Sequence, residues 1–217
     1  MRKPKIVGKS GDEVESVPNG DTVLRRIKKV STAEWMEKFL KCNHELLKAI
    51  KKVRVLTGIV WCALDITSWM YYGDTSISGV MGTQRQKGST YAFKYMTVCV
   101  TAQREHVTVA GSYMNQLMNP QKLMKELILK SSKYITGKMG VLCDREFFTA
   151  GYIKALYESN VKFLMPARKN ARIKKIIKKT KKYPRVVKYP MSQGKNKVEF
   201  WLFLVKNKKK KDKIHAF

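Results

Sequence analysis

Two aspartates each follow an apolar segment with the composition of a β-strand, and their side chains could hold a metal ion. Asp65 follows the run 57–64, and Asp144 follows the run 140–143. A carboxylate at the end of a buried strand is positioned by a rigid scaffold and still reaches solvent. Two such carboxylates on neighbouring strands can share a Mg²⁺ ion and present it to phosphate oxygens. The residue types therefore predict a site for metal-dependent phosphodiester chemistry.

The same two residues also fit structural roles. Aspartate is favoured in turns and at helix N-caps, so Asp65 could begin a turn and Asp144 could cap the segment after it. Taken one at a time, the aspartates favour these structural roles over metal binding. The surrounding sequence is needed to decide between the two interpretations.

The net charge predicts a polyanionic partner independently of the aspartates. Lysine and arginine total 45 against 16 acidic residues, which gives a formal charge of +29. Residues 147–217 contain 21 of the basic residues and only three acidic ones. The electrostatic field of so large a positive charge favours binding of a nucleic acid, and it makes that binding strongly dependent on salt concentration.

The best placed basic cluster lies between residues 168 and 188. Its cations alternate with Ile173, Ile176 and Ile177 as in a basic amphipathic helix. We expect phosphate contacts there, without sequence-specific readout. A second cluster at 206–213 fits a solvated hairpin tip equally well. The candidate nucleic-acid-binding residues, with Arg145 beside the second aspartate, are Arg145, Arg168, Lys169, Arg172, Lys174, Lys175, Lys178, Lys179, Lys181 and Lys182.

The segments around both aspartates resemble the DDE transposases of prokaryotic insertion sequences. The first match is Leu64-Asp65-Ile66-Thr67 followed by Tyr71-Tyr72-Gly73, and the second is Asp144-Arg145-Glu146-Phe147-Phe148. Strand-like segments at 94–98 and 161–168 follow in the family's order. The resemblance extends from residue 21 to the C-terminus, and it depends on the order and spacing of the segments more than on any single motif.

The resemblance implies a ribonuclease H-like α/β fold and a metal-dependent reaction on DNA. We expect a five-stranded mixed sheet flanked by helices, in which the first strand lies beside the strand after the long helix. That adjacency would bring Asp65 and Asp144 together, although 79 positions separate them. In the family the first aspartate bridges two Mg²⁺ or Mn²⁺ ions, roughly 4 Å apart, and the second holds one of them. The implied reaction is DNA strand cleavage by water and strand transfer to a DNA 3′-hydroxyl group.

The sequence departs from the family pattern in two places. Glu146 stands where the family's Asp-Arg-Gly-Phe motif has glycine, and it adds a negative charge beside Asp144. The third catalytic residue of the family, a glutamate on a later helix, has no counterpart, because Glu158 comes too early and Glu199 lies in a strand-like run. We therefore expect a truncated transposase, and whether it is an active enzyme is left open. The alternative is a non-catalytic, basic nucleic-acid-binding remnant that competes with or joins intact transposase.

Three parts are expected along the chain: an N-terminal lead-in and helical segment at 1–54, a partial catalytic core at 55–168, and a basic helix with a β-rich insertion at 169–217. Within the core we expect a strand at 59–66 covered on both faces and a loop at 79–89. The patterns further predict a hairpin, a helix with Asn119 as N-cap, and a strand–helix–strand unit, at 91–111, 120–134 and 141–165. Four aromatic residues in apolar runs are expected to be buried: Trp61, Phe200, Trp201 and Phe203.

Several other classes of protein are not indicated. No apolar run reaches the ~20 residues of a membrane-spanning helix, and the chain lacks a P-loop, a dinucleotide fingerprint and a Ser-His-Asp triad. The four cysteines show no paired spacing, which suits a reducing cytoplasm. We expect a cytoplasmic, nucleoid-associated protein that binds transposon ends and target DNA. Its further expected partners are a second copy of the chain or intact transposase, and no membrane.

Overall fold

The computed structural model describes residues 21, 22, 25, 32–52, 56–101, 106–207 and 214–217. The chain divides into two compact units, Met1–Leu46 and Leu47–Phe217. In the first unit, residues 21, 22 and 25 are helical, and helix α1 (Thr32–Lys52) begins there and ends in the second unit. An exposed ion pair in α1 joins Glu34 and Lys38 at 2.9 Å. The predicted lead-in at 1–20 lies outside the described residues, and the three-part division of the chain stays a prediction.

A six-stranded mixed sheet forms the centre of the second unit. Its strands are β1 (Ile59–Tyr71), β2 (Val80–Gln86), β3 (Ser89–Thr101), β4 (His106–Met114), β5 (Lys138–Cys143) and β6 (Lys162–Leu164). β1 pairs antiparallel with β3 on one side and parallel with β5 on the other, and β6 extends the parallel part. β4 and β2 pair with different stretches of β3. The predicted mixed α/β sheet is confirmed, including the adjacency of the first strand, β1, and the strand after the long helix, β5.

Two helices cover one face of this sheet, and both begin at side-chain caps. Helix α2 (Pro120–Ser132) follows Asn119, whose Oδ1 accepts a hydrogen bond from the Lys122 amide at 2.9 Å. Helix α3 (Ala150–Glu158) follows Thr149, whose Oγ1 accepts one from the Tyr152 amide. Their apolar side chains are buried with those of the sheet in one core: Leu123, Met124, Leu127, Ile153 and Leu156.

β1 is covered on one face only, so the prediction of a strand buried on both faces is wrong. Cys62 and Leu64 are buried, whereas Trp61 before them and Asp65 after them are exposed. A continuous apolar run is typical of a strand covered on both faces, but it does not require both faces to be covered. In the part of the chain that the structure describes, however, the helices lie on the Cys62–Leu64 face.

The segment predicted as a loop at 79–89 contains a strand, which gives the sheet six strands where five were expected. β2 pairs with β3 through a tight turn at Lys87 and Gly88, whose φ angles are 47° and 87°. Positive φ at both positions suits the two-residue turn of a hairpin. Because β2 has a strand neighbour on one side only, glycine and polar residues are tolerated in it, and composition alone misidentified it.

The C-terminal part forms the predicted basic helix and β-rich segment. Helix α4 (Ala171–Lys179) precedes a three-stranded antiparallel sheet of β7 (Arg185–Gln193), β8 (Asn196–Lys206) and β9 (Ile214–Ala216), in the order β7–β8–β9. The inner face of this small sheet joins the common core, since Phe200 packs edge-on against Phe148 with ring centroids 5.6 Å apart. The predicted hairpin tip at 208–211 lies outside the described residues. Among the helices that the structure describes, none is long and apolar enough to cross a membrane.

Candidate functional site

The register of β1 and β5 places Asp65 and Asp144 at neighbouring positions. The two strands pair in parallel from Ile59 and Lys138 to Leu64 and Cys143. Asp65 is the next residue of β1, and Asp144 directly follows the end of β5. Leu64 and Cys143 are both buried on the helix-covered face. Because successive side chains of a strand alternate between faces, Asp65 emerges on the open face, and both carboxylates are exposed.

Asp65 lies within β1, and neither its expected place at a strand end nor the turn interpretation is correct. Beyond the last pair with β5, β1 continues to Tyr71 and stays paired with β3, where Thr97 is opposite Asp65. The hydroxyl of Thr67, on the same face, donates a hydrogen bond of 3.0 Å to Asp65 Oδ2. β1 continues beyond Asp65 because β3 continues to pair with it. The apolar pattern of β1 alone does not indicate this pairing.

Asp144 caps the segment that follows it, the role that the sequence offered as the alternative to metal binding. Its Oδ1 accepts a hydrogen bond of 2.6 Å from the amide of Glu146, and a short 3₁₀ helix (Arg145–Phe147) follows. This bond uses one carboxylate oxygen. Within the described part of the chain, no protein donor is bonded to Oδ2 of Asp144 or to Oδ1 of Asp65, so capping and ligand binding are compatible.

Two glycines allow β1 and β5 to approach each other. A Cβ atom added to Gly140 would lie 2.6 Å from Cε3 of Trp61, and one added to Gly137 would overlap the backbone oxygen of Gly58. Thr136 further fixes the start of β5 through its hydroxyl, which donates a 2.7 Å hydrogen bond to the Leu56 carbonyl. The relative position of the two aspartates therefore depends on close backbone packing at the opposite end of the same strand pair.

Glu146, the residue that replaces the family glycine, lies in the 3₁₀ helix. Its carboxylate is exposed, and its amide serves Asp144. Burial, and then the negative charge of Glu146, raise the pKa of the Tyr152 hydroxyl. The charge of Glu146 therefore acts on the Tyr152 hydroxyl in the first turn of α3.

The carboxylates of Asp65 and Asp144 are ligands of the type that a hard divalent cation prefers, although they are few in number. Asp65 and Asp144 offer carboxylate oxygens, the ligand type that Mg²⁺ prefers. Among the described residues, no group of three or more acidic, histidine or cysteine side chains converges on a common point. The thiol of Cys143 does not add to the set, because burial and then the charge of Asp144 raise its pKa to about 12.

Predicted cations lie beside the second aspartate. Arg145 follows Asp144 directly in the sequence. Arg168 Nε donates a hydrogen bond of 3.2 Å to the Arg145 carbonyl, which holds the Arg168 side chain against the backbone of Arg145. The Lys169 ammonium donates to the carbonyl of Ile214, which ties the residues before α4 to β9. All three side chains remain exposed.

Helix α4 has the predicted amphipathic form. Asn170 caps it by accepting a hydrogen bond of 2.9 Å from the Ile173 amide, and Ile173 is fully buried. Arg172 differs from the other candidates, because it donates a 3.1 Å hydrogen bond to the Pro190 carbonyl and lies over the Tyr189 ring. The remaining lysines of the cluster are exposed: Lys174, Lys175, Lys178, Lys179, Lys181 and Lys182.

The burial predicted for the aromatic residues is correct for Phe200 and wrong for Trp61, Trp201 and Phe203. The side chains of Trp201 and Phe203 are 63% and 39% exposed, and Trp61 is 36% exposed. These residues alternate with buried neighbours, as expected when one face of a strand is open. Lys197 and Glu199 occupy the same face of β8, and that polar alternation is the sequence signal that could have identified it.

The comparisons with known proteins concern three-dimensional structure, because no protein-family model and no curated protein matches the chain. Several solved structures resemble it weakly. One is a piggyBac transposase synaptic complex with hairpin DNA, at 17% identity and a TM-score of 0.44, which covers 74% of this chain and 33% of that one. Others are a Drosophila P element transposase strand transfer complex (10%, 0.35, 70% and 35%) and the Mos1 strand transfer complex (13%, 0.28, 73% and 45%). The chain spans a third to under half of the length of those proteins.

Proposed function

We propose that this chain binds DNA and contributes Asp65 and Asp144 to a site for metal-dependent strand cleavage and strand transfer of the transposase type. The observation that carries the proposal is the parallel register of β1 and β5, which makes two exposed aspartates neighbours across 79 positions of sequence. The excess of positive charge supports a polyanionic substrate.

Each proposed residue has a defined task. Asp65 and Asp144 would hold Mg²⁺ or Mn²⁺, oriented by the Thr67 hydroxyl and the Glu146 amide respectively. When bound in such a site, two divalent ions stabilise the attacking and leaving oxygens at phosphorus. Arg145 and Arg168 would bind phosphate beside the reacting group. We propose that the complete site takes a third carboxylate from outside the part of the chain that the structure describes.

Helix α4 is the proposed surface for the rest of the DNA backbone. Its lysines face solvent while Ile173 anchors the helix to the core. Phosphate contacts of this kind supply affinity and orientation without reading sequence. Arg172 is assigned a supporting role, since its guanidinium group is engaged by Pro190 and Tyr189.

A second function is favoured by the number of carboxylates. Two aspartates without a third ligand should bind metal weakly, and a chain with that property would act as a non-catalytic, basic DNA-binding protein that competes with or joins intact transposase. Both functions require salt-sensitive DNA binding. Metal binding at Asp65 and Asp144 distinguishes them.

The test is a calorimetric titration with Mn²⁺ and Mg²⁺ of the wild type and of the double variant Asp65→Asn/Asp144→Asn. These substitutions keep the shape of each side chain and remove its charge. Asp74→Asn is the matched control, because Asp74 is also an exposed aspartate and its carboxylate is bonded to Ser76 within a turn. We expect binding that disappears in the double variant only. Identical isotherms for all three proteins would overturn the metal site and leave the non-catalytic function.

A further inference from the structure

The small sheet presents an aromatic and cationic surface that the proposed function does not use. This outer face consists of Val186 and Lys188 on β7 and of Lys197, Glu199, Trp201 and Phe203 on β8. Trp201 is 63% exposed, so most of a large apolar ring lies in water. The opposite face of β8 buries Phe200, Leu202 and Leu204 in the core. The outer aromatics are therefore not needed to hold the small sheet in place.

The register of the two strands groups these side chains. Lys188 is opposite Trp201, and Val186 is opposite Phe203. Directly opposed residues of antiparallel strands lie on the same face. The Lys188 ammonium lies 5.4 Å from the centre of the Trp201 ring and 3.7 Å from a carboxylate oxygen of Glu199. A cation thus lies over one face of a ring that is otherwise largely exposed.

We propose that the outer face binds single-stranded nucleic acid, with unpaired bases stacked on Trp201 and Phe203. The inference rests on the proposed function for a nucleic-acid partner and adds a second, chemically different contact surface to it. Residues two apart on a strand are separated by about 7 Å, so each ring can receive its own base in an extended strand. Lys188 and Lys197 supply positive charge for the phosphates between those bases.

The chemistry of the surface favours unpaired bases over a duplex. Base–aromatic stacking needs an exposed base face and tolerates any sequence, whereas the base faces of a duplex are already stacked on one another. An acidic protein would also be attracted by the lysines, but it has no group that requires two rings spaced along one strand. Charge complementarity with a polyanion follows from two lysines against one glutamate on this face and from the net charge of +29.

The experiment compares the binding of labelled oligo(dT) with that of a duplex of equal length by fluorescence anisotropy. The variants are Trp201→Ala, Trp201→Phe and, as matched control, Trp69→Ala, which removes an equally open tryptophan (73% exposed) from β1. We expect Trp201→Ala to weaken oligo(dT) binding about tenfold, as loss of one stacked base does. Duplex binding should stay within about twofold, Trp201→Phe should retain most of the affinity, and Trp69→Ala should match the wild type.

Each other result is decisive. Equal losses on both ligands, or no loss on oligo(dT) while the wild type binds duplex, would overturn the stacking surface and leave the proposed function standing. A wild type that binds neither ligand would overturn both. A change of oligomeric state in Trp201→Ala by sedimentation, with unchanged oligo(dT) affinity, would assign the outer face to contact between copies of this chain.

Discussion

The two sheets of the second unit are built alike and differ in what they expose. Each buries one face in the same core and leaves the other open with a tryptophan on it. The open face of the large sheet carries carboxylates, whose placement depends on the parallel pairing of two strands distant in sequence. The open face of the small sheet carries lysine and aromatic side chains, whose placement depends on a local hairpin. The proposed metal site thus depends on contacts between residues distant in sequence, whereas the aromatic and lysine surface of the small sheet depends on residues close in sequence.

This difference implies that the two regions can be perturbed separately as long as the shared core is intact. Loss of charge at Asp65 and Asp144 should abolish metal binding and should not weaken DNA binding, because removing negative charge from the protein reduces its repulsion of a polyanion. Loss of lysines on α4 should have the opposite pattern.

The largest effect is expected from truncations in the core that both sheets share. Leu64 on β1 and Leu202 on β8 are almost completely buried. Leu64→Ala and Leu202→Ala should each reduce the free energy of unfolding by about 2–5 kcal/mol. Denaturant unfolding of both variants, followed by circular dichroism and by tryptophan fluorescence, should give one coincident transition. Val186→Ala, an exposed position of β7, is the control and should change stability by less than about 0.5 kcal/mol. Two separate transitions would show that the sheets fold independently.

A smaller loss is expected where β1 and β5 come closest. In Gly137→Ala the new methyl group would overlap the Gly58 backbone, which cannot move without shifting the strand pair. We expect a loss of about 1–3 kcal/mol, the usual cost of overpacking, together with weaker metal binding because Asp65 and Asp144 lose their relative position. Gly82→Ala is the matched control, since an added Cβ there meets nothing within 4 Å. If Gly137→Ala kept wild-type metal affinity, the dependence of the site on strand register would be wrong.

Local signals in the sequence predicted much of the fold. Asn119 and Pro120 marked the start of α2, and the isoleucine spacing marked α4, because caps and amphipathic periodicity act within one or two turns of chain. The adjacency of Asp65 and Asp144 is different. It followed from the resemblance to a family, since strand order cannot be read from the periodicity of separate segments.

The errors came from properties that depend on neighbours in space. Trp201 and Phe203 lie in an apolar run, yet only one face of β8 is covered, and the run itself does not say which face. The composition of β2 predicts a loop, because glycine and polar residues suit both loops and edge strands. The apolar pattern stops at Asp65 and so predicts a strand end there, whereas the pairing of β1 with β3 continues to Tyr71.

Substitutions of lysines on α4 test whether the proposed metal site and the proposed DNA-binding surface are independent of each other. Lys174→Gln/Lys175→Gln should reduce the slope of log affinity for duplex DNA against log salt by about 1.8, if each lysine contacts one phosphate. The matched control is Lys122→Gln/Lys130→Gln on α2, which removes the same charge from exposed positions. Equal changes of slope in both pairs would mean that only net charge matters. The metal isotherm of the α4 variant should match that of the wild type.

The smallest effect is expected from an exposed ion pair between the helices that cover the large sheet. Glu158 Oε2 accepts a hydrogen bond of 2.8 Å from the Lys125 ammonium, and this bond, then the charge of Lys125, lowers the pKa of Glu158. A lowered pKa in the folded state stabilises the protein above the usual glutamate pKa of about 4.3. That stabilisation is lost as the pH falls through the lowered value.

In Lys125→Met the pKa of Glu158, followed by NMR titration, should therefore move up toward the ordinary value. Part of the shift should remain, because Lys154 also lies 4.0 Å from the carboxylate. Lys130→Met, on the same helix, should leave the titration unchanged. The stability at neutral pH should hardly change, since both charges are in water and solvent screens their attraction. A loss comparable to that of Leu64→Ala would mean that the pair, rather than the buried leucines, holds the two helices on the sheet.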